Sequence, residues 1–487
     1  MGKLFGADGI RGVIDRYPFR MEDLDRLGYS FASWWLERSP QPGVLIGTDT
    51  RESNQRIKVA LVKGLSQAGV SVFDAGILPT AAVSYLIASK GFLSGGLMIS
   101  ASHNPLNENG IKMFDERGMK LDDRNEAWIE ANLTGHSPIA YRTRPAPVQF
   151  APEFARQYAH DLAEEFKFVN WRGRKIAIDC ANGAAFETAR WVFDSLGLSY
   201  VLLNHSPNGA NINRSGGSEH ARLSPTLFAS ELKKYGVEVG LALDGDADRV
   251  ALIDDSGRFF DGDLLLAILG LRLKRLGALA QETVVITQMS NSRLEHHLRN
   301  FGIHTRQVKN GDKYITAALV EDRLVLGGEQ IGHLILHDRP TRVTGDGLRT
   351  ALWVLAELAL HPELSLDDLS QGMQKWPQVN ASAILGFRTQ RMPGDIPGLE
   401  ERVNFVRTSI PDLSRLEVRP ASTEPVYRIM LEASQTPVRT LAEYAYALSR
   451  YVQRALGALD HPVQLLDCGQ GGLMAVDALH FIPGLED

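Results

Sequence analysis

The sequence predicts an α/β protein: three similar mixed α/β units in a row, then a smaller α+β unit. Three observations carry this. Short apolar strands alternate with helices of about ten residues or more, the pattern of βαβ units. The alternation runs through three cycles before it stops. Beyond Pro377 the texture changes to strands with one long helix. A length of 487 residues is also too great for one core.

The first cycle opens on a helix from Met21 to Glu37, with Leu24, Leu27, Phe31, Trp34 and Trp35 at helical spacing. Strand Val44–Ile46, the turn Gly47–Arg51 and helix Gln55–Gln67 follow, then strand Val70–Phe73, helix Ala81–Ser89 and strand Gly96–Ile99. Polar, proline-bearing sequence from Thr134 to Pro147 reads as a linker. The second cycle takes helix Pro152–Glu165, strand Lys175–Asp179, helix Phe186–Ser195, strand Tyr200–Leu203, helix Ser224–Lys234 and strand Val239–Leu243. A third runs through helix Asp263–Arg275, strand Thr283–Thr287, helix Ser292–Asn300, strands His304–Gln307 and Leu324–Gly327, and helix Asp346–Leu360. The last unit holds strands Ala381–Gly386, Arg415–Pro420 and Tyr427–Glu432 and helix Val438–Ala455. Expected domains are therefore 1–147, 148–257, 258–376 and 377–487. Residues 462–487, with Gly-Gln-Gly-Gly at 469–472, show no periodicity.

A net charge of −6 gives no basic coat for nucleic acid. Two distant cysteines, Cys180 and Cys468, make neither a disulfide framework nor a zinc site. Residues 1–20 lack the apolar segment of a secretory signal, and no stretch reaches the ~18 apolar residues of a membrane span. The expectation is a cytoplasmic protein that engages neither nucleic acid nor membrane.

Chemistry concentrates in a few turns. Gly95-Gly96-Leu97-Met98-Ile99 breaks into Ser100-Ala101-Ser102-His103-Asn104-Pro105, which puts Ser102 on a tight turn at a strand end. His103 and, in Asn109-Gly110-Ile111-Lys112, the lysine supply polar and charged neighbours for a nucleophile or phosphoryl carrier. Phe5–Gly12 has three glycines and ends on Arg11-Gly12, where the guanidinium suits a phosphate or carboxylate. Asp244-x-Asp246-x-Asp248 follows a strand; oxygen-only ligands converging there favour Mg²⁺. Position six of that turn is Arg249 and position twelve Asp255, which excludes an EF-hand. Arg249 is placed to meet a phosphate beside the ion. Glu329 and His333 offer an acceptor and a donor to sugar hydroxyls, and Arg419, Ser422, Thr423 and Arg428 surround one turn as a phosphate cradle.

Taken in order, Phe5–Gly12, Ser100–Pro105 with Asn109–Lys112, Asp244–Arg249, Gly328–His333 and Arg419–Arg428 resemble the motifs of the α-D-phosphohexomutases. Asp179–Ala184, Asn211-Ile212-Asn213, Gly311-Asp312-Lys313-Tyr314 and Lys375–Gln378 are similar to its bacterial phosphoglucosamine mutase branch. The resemblance implies four domains around a central cleft. It implies that Ser102 is the phosphorylated serine and that Asp244, Asp246 and Asp248 join it in holding Mg²⁺. It sets Arg11 and Lys112 at the transferring phosphoryl, Lys112 as proton-transfer partner, with Asp312 among the substrate-binding residues. A sugar 1,6-bisphosphate is the implied intermediate and activator, a phosphosugar the partner, and a homodimer the candidate assembly. Two loops depart from the family's pattern: Ile331 stands where serine is usual, and Ala421-Ser422 where Ser-Gly is usual.

The leading expectation is interconversion of glucosamine 6-phosphate and glucosamine 1-phosphate. Phosphomannomutase or phosphoglucomutase activity is the near alternative. A metal-dependent phosphatase using Asp244 and Asp246 would release phosphate and survive loss of Ser102. A non-catalytic sugar-phosphate binder would never carry phosphate on Ser102.

Overall fold

Gly95–Ile99 is buried along its whole length because its sheet is covered on both sides. Leu97 and Ile99 pack with helices Met21–Leu36 and Asn54–Ala68, and Met98 with Thr80–Ser89 and Glu153–Glu164 on the opposite face. The computed structural model describes residues 4–6, 8–134, 144–171, 173–421, 424–477, 479, 482 and 485. Four sheets follow one another along them, so the α/β class and its α+β ending are as expected.

The first sheet runs Phe5–Gly6, Gly9–Val13, Glu108–Phe114, Gly95–Ile99, Gly43–Thr48, Ser71–Ile77, Val148–Phe150. Its last four strands are parallel and the first three join antiparallel. Because Val148–Phe150 pairs with Val72–Asp74, the sheet reaches past the boundary expected at 147. The second sheet, Phe259–Phe260, Val250–Asp254, Val239–Leu243, Lys175–Asp179, Ser199–Leu203, repeats this mixture, as does the third, His304–Val308, Thr283–Thr287, Leu326–Gly328, Leu334–Leu336. The fourth is antiparallel throughout: Leu413–Pro420, Val426–Ala433, Gln378–Ile384, Val463–Asp467, Leu473–Met474. The unassigned tail thus supplies two of its strands.

Cores divide the same way. One cluster joins Leu86 of the first unit to Tyr158 and Val192 of the second and Leu266 and Leu352 of the third. The fourth unit has its own core around Tyr427, Leu431, Leu441 and Leu448. Its seam with the third is polar: Ser292 donates to Glu432, Arg415 to the Gln288 carbonyl, and Lys375 to the Cys468 carbonyl.

Each sheet contributes one reverse connection to the same region. Ile99 lies opposite Ile111, Leu243 opposite Val250, Gly328 opposite Leu334 and Pro420 opposite Tyr427. The loops they bracket are the Ser102 loop, the Asp244–Arg249 turn, the Glu329–His333 turn and the Arg419–Arg428 hairpin. Register also brings in the N-terminal motif, since Arg11 pairs with Gly110.

Candidate active site

Ser102 is fully buried, with φ of 53°, a left-handed conformation that needs outside support in a residue with a Cβ. That support is extensive. Its amide donates to Ser100 Oγ at 2.8 Å, and Ser100 Oγ donates to Asp49 at 2.7 Å. The Ser102 carbonyl accepts from Arg51 at 3.0 Å and Asn213 Nδ2 at 2.8 Å. Arg51, paired with Asp49 at 3.0 Å and wholly buried, also donates to the carbonyls of Asn104, Pro105 and Glu108. Asp49 and Arg51 were visible in the sequence only as part of a turn; their signal was an Asp-x-Arg pair just past a strand.

Ser102 Oγ donates to Asp244 Oδ2 at 2.5 Å and lies 3.2 Å from His103 Nδ1. Arg249 reaches the same ring nitrogen at 3.0 Å. Burial, then Arg249 and Arg11, hold His103 well below the usual histidine range, so the ring is neutral and Nδ1 accepts. Arg11 donates to the Ala101 carbonyl, Asn104 Oδ1 and Asp8, which ties the N-terminal motif to the serine loop.

Asp244, Asp246 and Asp248 are buried, and one oxygen from each lies within 4.8 Å of the others. Burial raises the Asp244 carboxyl well above its usual range, with Asp248 and Asp246 adding to it. The turn fits only because residue 245 is glycine: a Cβ there would stand 2.5 Å from the Ser102 carbonyl. Lys112 Nζ is 2.7 Å from both Asp246 and Asp248 and 3.2 Å from Asp8. Burial opposes its charge, yet these carboxylates push the ammonium well above the usual lysine range. Among the described residues, Asp246 Oδ1 and Asp248 Oδ1 are buried without a hydrogen-bond partner. Two unsatisfied carboxylate oxygens beside Asp244 are the donor set a hard divalent cation takes, so the residues present fit a metal. Thr80 Oγ1, absent from the sequence reading, donates to Asp246 at 2.5 Å.

His333 lies behind this centre, 3.6 Å from Asp248 and 3.7 Å from Asp312, and accepts from the Gly345 amide. Asp312 opens helix Asp312–Glu321 and pairs with Lys120, which also meets Asp8. His333 and Asp312 therefore face the carboxylate network. Glu329 accepts from the Gly311 amide at 3.0 Å and borders the cleft together with Ile331, Arg419 and Arg428. Arg419 and Arg428 sit opposite each other on paired strands, and Arg428 also meets Glu424. Ser422 and Thr423 lie outside the described residues. Arg222, Phe259, Asp261, Gln330 and Ile331 form a wall shared by the part of the cleft that contains His103 and Arg249 and the part that contains Arg419 and Arg428. Among the described residues, no helix is long and apolar enough to cross a membrane.

Known proteins share this fold. Residues 2–138, 156–257 and 261–376 match the phosphoglucomutase/phosphomannomutase α/β/α domains I, II and III. A phosphoglucosamine mutase of Caldicellulosiruptor bescii is 37% identical over 436 residues, 89% of this chain and 95% of the relative. One from Clostridium botulinum strain Eklund 17B is 35% identical, covering 93% of this chain and 99% of the relative. A phosphoglucomutase/phosphomannomutase family protein of Burkholderia thailandensis shares the fold with a TM-score of 0.73 at 22% identity, over 95% of this chain and 99% of its own. Aspergillus fumigatus N-acetylphosphoglucosamine mutase, solved with GlcNAc-6P and magnesium, does so with a TM-score of 0.61 at 17% identity, over 93% of this chain and 96% of its own. The chain belongs to the phosphoglucomutase/phosphomannomutase family, the α-D-phosphohexomutases, and is a phosphosugar mutase, an isomerase.

Proposed function

We propose that this mutase interconverts glucosamine 6-phosphate and glucosamine 1-phosphate, with Ser102 as the phosphoryl carrier and a sugar 1,6-bisphosphate as intermediate and activator. The observation that carries the carrier role is the 2.5 Å contact of Ser102 Oγ with Asp244, inside a loop held at four carbonyls by Arg51. The same contact argues against a phosphatase with Asp244 as nucleophile, because that carboxylate is engaged by the serine hydroxyl. The amino sugar is assigned on the phosphoglucosamine mutase relatives. Ile331, exposed to the cleft where the family usually has serine, favours phosphomannomutase or phosphoglucomutase activity as the second reading.

In the proposed cycle the phosphoserine P–O bond breaks, a P–O bond forms to the free sugar hydroxyl, and that hydroxyl's proton ends on Ser102 Oγ. The bisphosphate turns over in the cleft, and its other phosphoryl returns to Ser102 by the reverse step. Groups at hand for the proton are Asp244 at 2.5 Å and His103 at 3.2 Å. Lys112, an ammonium between Asp246 and Asp248, acts as a fixed positive charge. Asp244, Asp246 and Asp248 would hold Mg²⁺, which supplies charge neutralisation at the transferring phosphoryl. Arg11 and Arg249 flank the serine loop; Arg419 and Arg428 grip the distant phosphate, with Glu329 reading sugar hydroxyls. A cytoplasmic homodimer is our expectation for the assembly.

Intact-protein mass spectrometry after incubation with glucose 1,6-bisphosphate and Mg²⁺ tests this reading. One added phosphate on wild type, absent from Ser102→Ala, is expected. Turnover should fall in Ser102→Ala by about 10⁴-fold or more, as for other nucleophile deletions. Retained activity with phosphate release would move the protein to the phosphatase reading.

A further inference from the structure

Arg222 borders both parts of the cleft, yet it belongs to neither the serine loop nor the Arg419–Arg428 hairpin. It sits on the short helix Gly217–Leu223 and pairs twice with Glu219, Nε at 2.9 Å from Oε2 and Nη2 on Oε1. Both side chains keep an open face, 27% exposed for Arg222 and 40% for Glu219. Glu219 lies within electrostatic reach of Arg249 at the serine end and of Arg428 at the clamp end. The Arg222 backbone is fixed independently, because its carbonyl accepts from Gly472 at 2.8 Å. That contact brings the Gly-Gln-Gly-Gly tail of the fourth unit onto the second. The guanidinium therefore stands between two cationic phosphate sites, charge-balanced by a carboxylate that both ends can feel.

We propose that Arg222 is a phosphate-contacting residue of the cleft and that Glu219 neutralises it until a sugar phosphate enters. This rests on the phosphosugar reading above. A bisphosphate that must turn over between the two ends needs a cation along its path, and a paired arginine offers one without trapping the ligand there. The entering phosphate dianion accepts from the guanidinium in place of Glu219.

Removing either partner breaks the same ion pair, so a merely structural role predicts that both variants shift binding the same way. A role in phosphate binding predicts opposite signs. Glucose 1,6-bisphosphate is titrated by calorimetry into Ser102→Ala protein, which binds without transfer. Arg222→Gln in that background is expected to raise Kd about ten-fold or more, the loss of a charge-assisted hydrogen bond. Glu219→Gln is expected to lower Kd about two- to five-fold, the scale of an exposed ion pair. An unchanged Kd in Arg222→Gln, or shifts of equal sign, overturns the proposal. Should Arg222→Gln fail to fold, Glu219→Gln decides alone: tightening supports the role, and weakening or no change ends it. No binding by the Ser102→Ala parent would remove the phosphosugar reading instead.

Discussion

The two ends of the cleft are built on opposite principles. At the Ser102 end Ser102, Lys112 and the three aspartates are buried and held from several sides, and three units share the apolar core beneath them. At the other end Arg419 and Arg428 are 40% and 44% exposed, on a hairpin of a unit with a separate core and a polar seam. Transfer of a phosphoryl group needs preorganised charge and fixed distances, which burial supplies. A clamp that must take a phosphate from either end of one sugar needs reach and solvent access. The stability cost of the site therefore falls at one end and its adaptability at the other.

The sharpest way to break this contrast is at Arg51. Arg51→Met strands Asp49 as a buried carboxylate and frees four loop carbonyls. Breaking a buried pair costs about 3–5 kcal/mol. Urea denaturation should show the transition of the first unit at markedly lower urea, with loss of turnover in whatever remains folded. A variant of native stability and activity would show that the serine loop holds itself.

Arg428→Ala should do the reverse. Among the described residues its hydrogen-bond partner is the exposed Glu424, so denaturation should be unchanged within error. Loss of one charge-assisted contact to phosphate is expected to lower kcat/KM by about ten- to a hundred-fold, roughly 1.5–3 kcal/mol. Steady-state kinetics alongside a melting curve checks both halves. A large stability loss would mean that the clamp is as prebuilt as the serine centre.

The same contrast governs what was legible in the sequence. Ser102, Lys112 and the three aspartates declared themselves because small polar or acidic residues broke apolar strands at defined spacing. Asp49 and Arg51 did not, since a charged turn looks solvated until a loop more than fifty residues away folds over it. Val250–Asp254 went unread as a strand, although its pairing with Val239–Leu243 is what turns the acidic segment into a hairpin. Helix Leu399–Ser409 buries only Leu399 and Val406, too few for a periodic stripe. Val463–Asp467 gains its identity from pairing with Gln378–Ile384, some eighty residues upstream, which no local pattern records. What local chemistry dictates could be read; what distant chain supplies could not.

Ile331 is where the two ends meet, and it carries the smallest expected effect. Its side chain is 42% exposed and lines both parts of the cleft, so it contributes little to folding. Ile331→Ser places a hydroxyl beside Glu329, where the family usually has one. A new neutral hydrogen bond to a sugar hydroxyl is worth about 0.5–1.5 kcal/mol, so kcat/KM for that sugar should rise about two- to ten-fold. The gain should appear for glucosamine phosphate relative to glucose or mannose phosphates if Ile331 sets sugar choice, and equally for all three if it only shapes the cleft. Coupled assays with the three sugars on one enzyme preparation separate these outcomes. An unchanged ratio would place the choice of sugar elsewhere in the cleft, because the 2-substituent would then not feel residue 331.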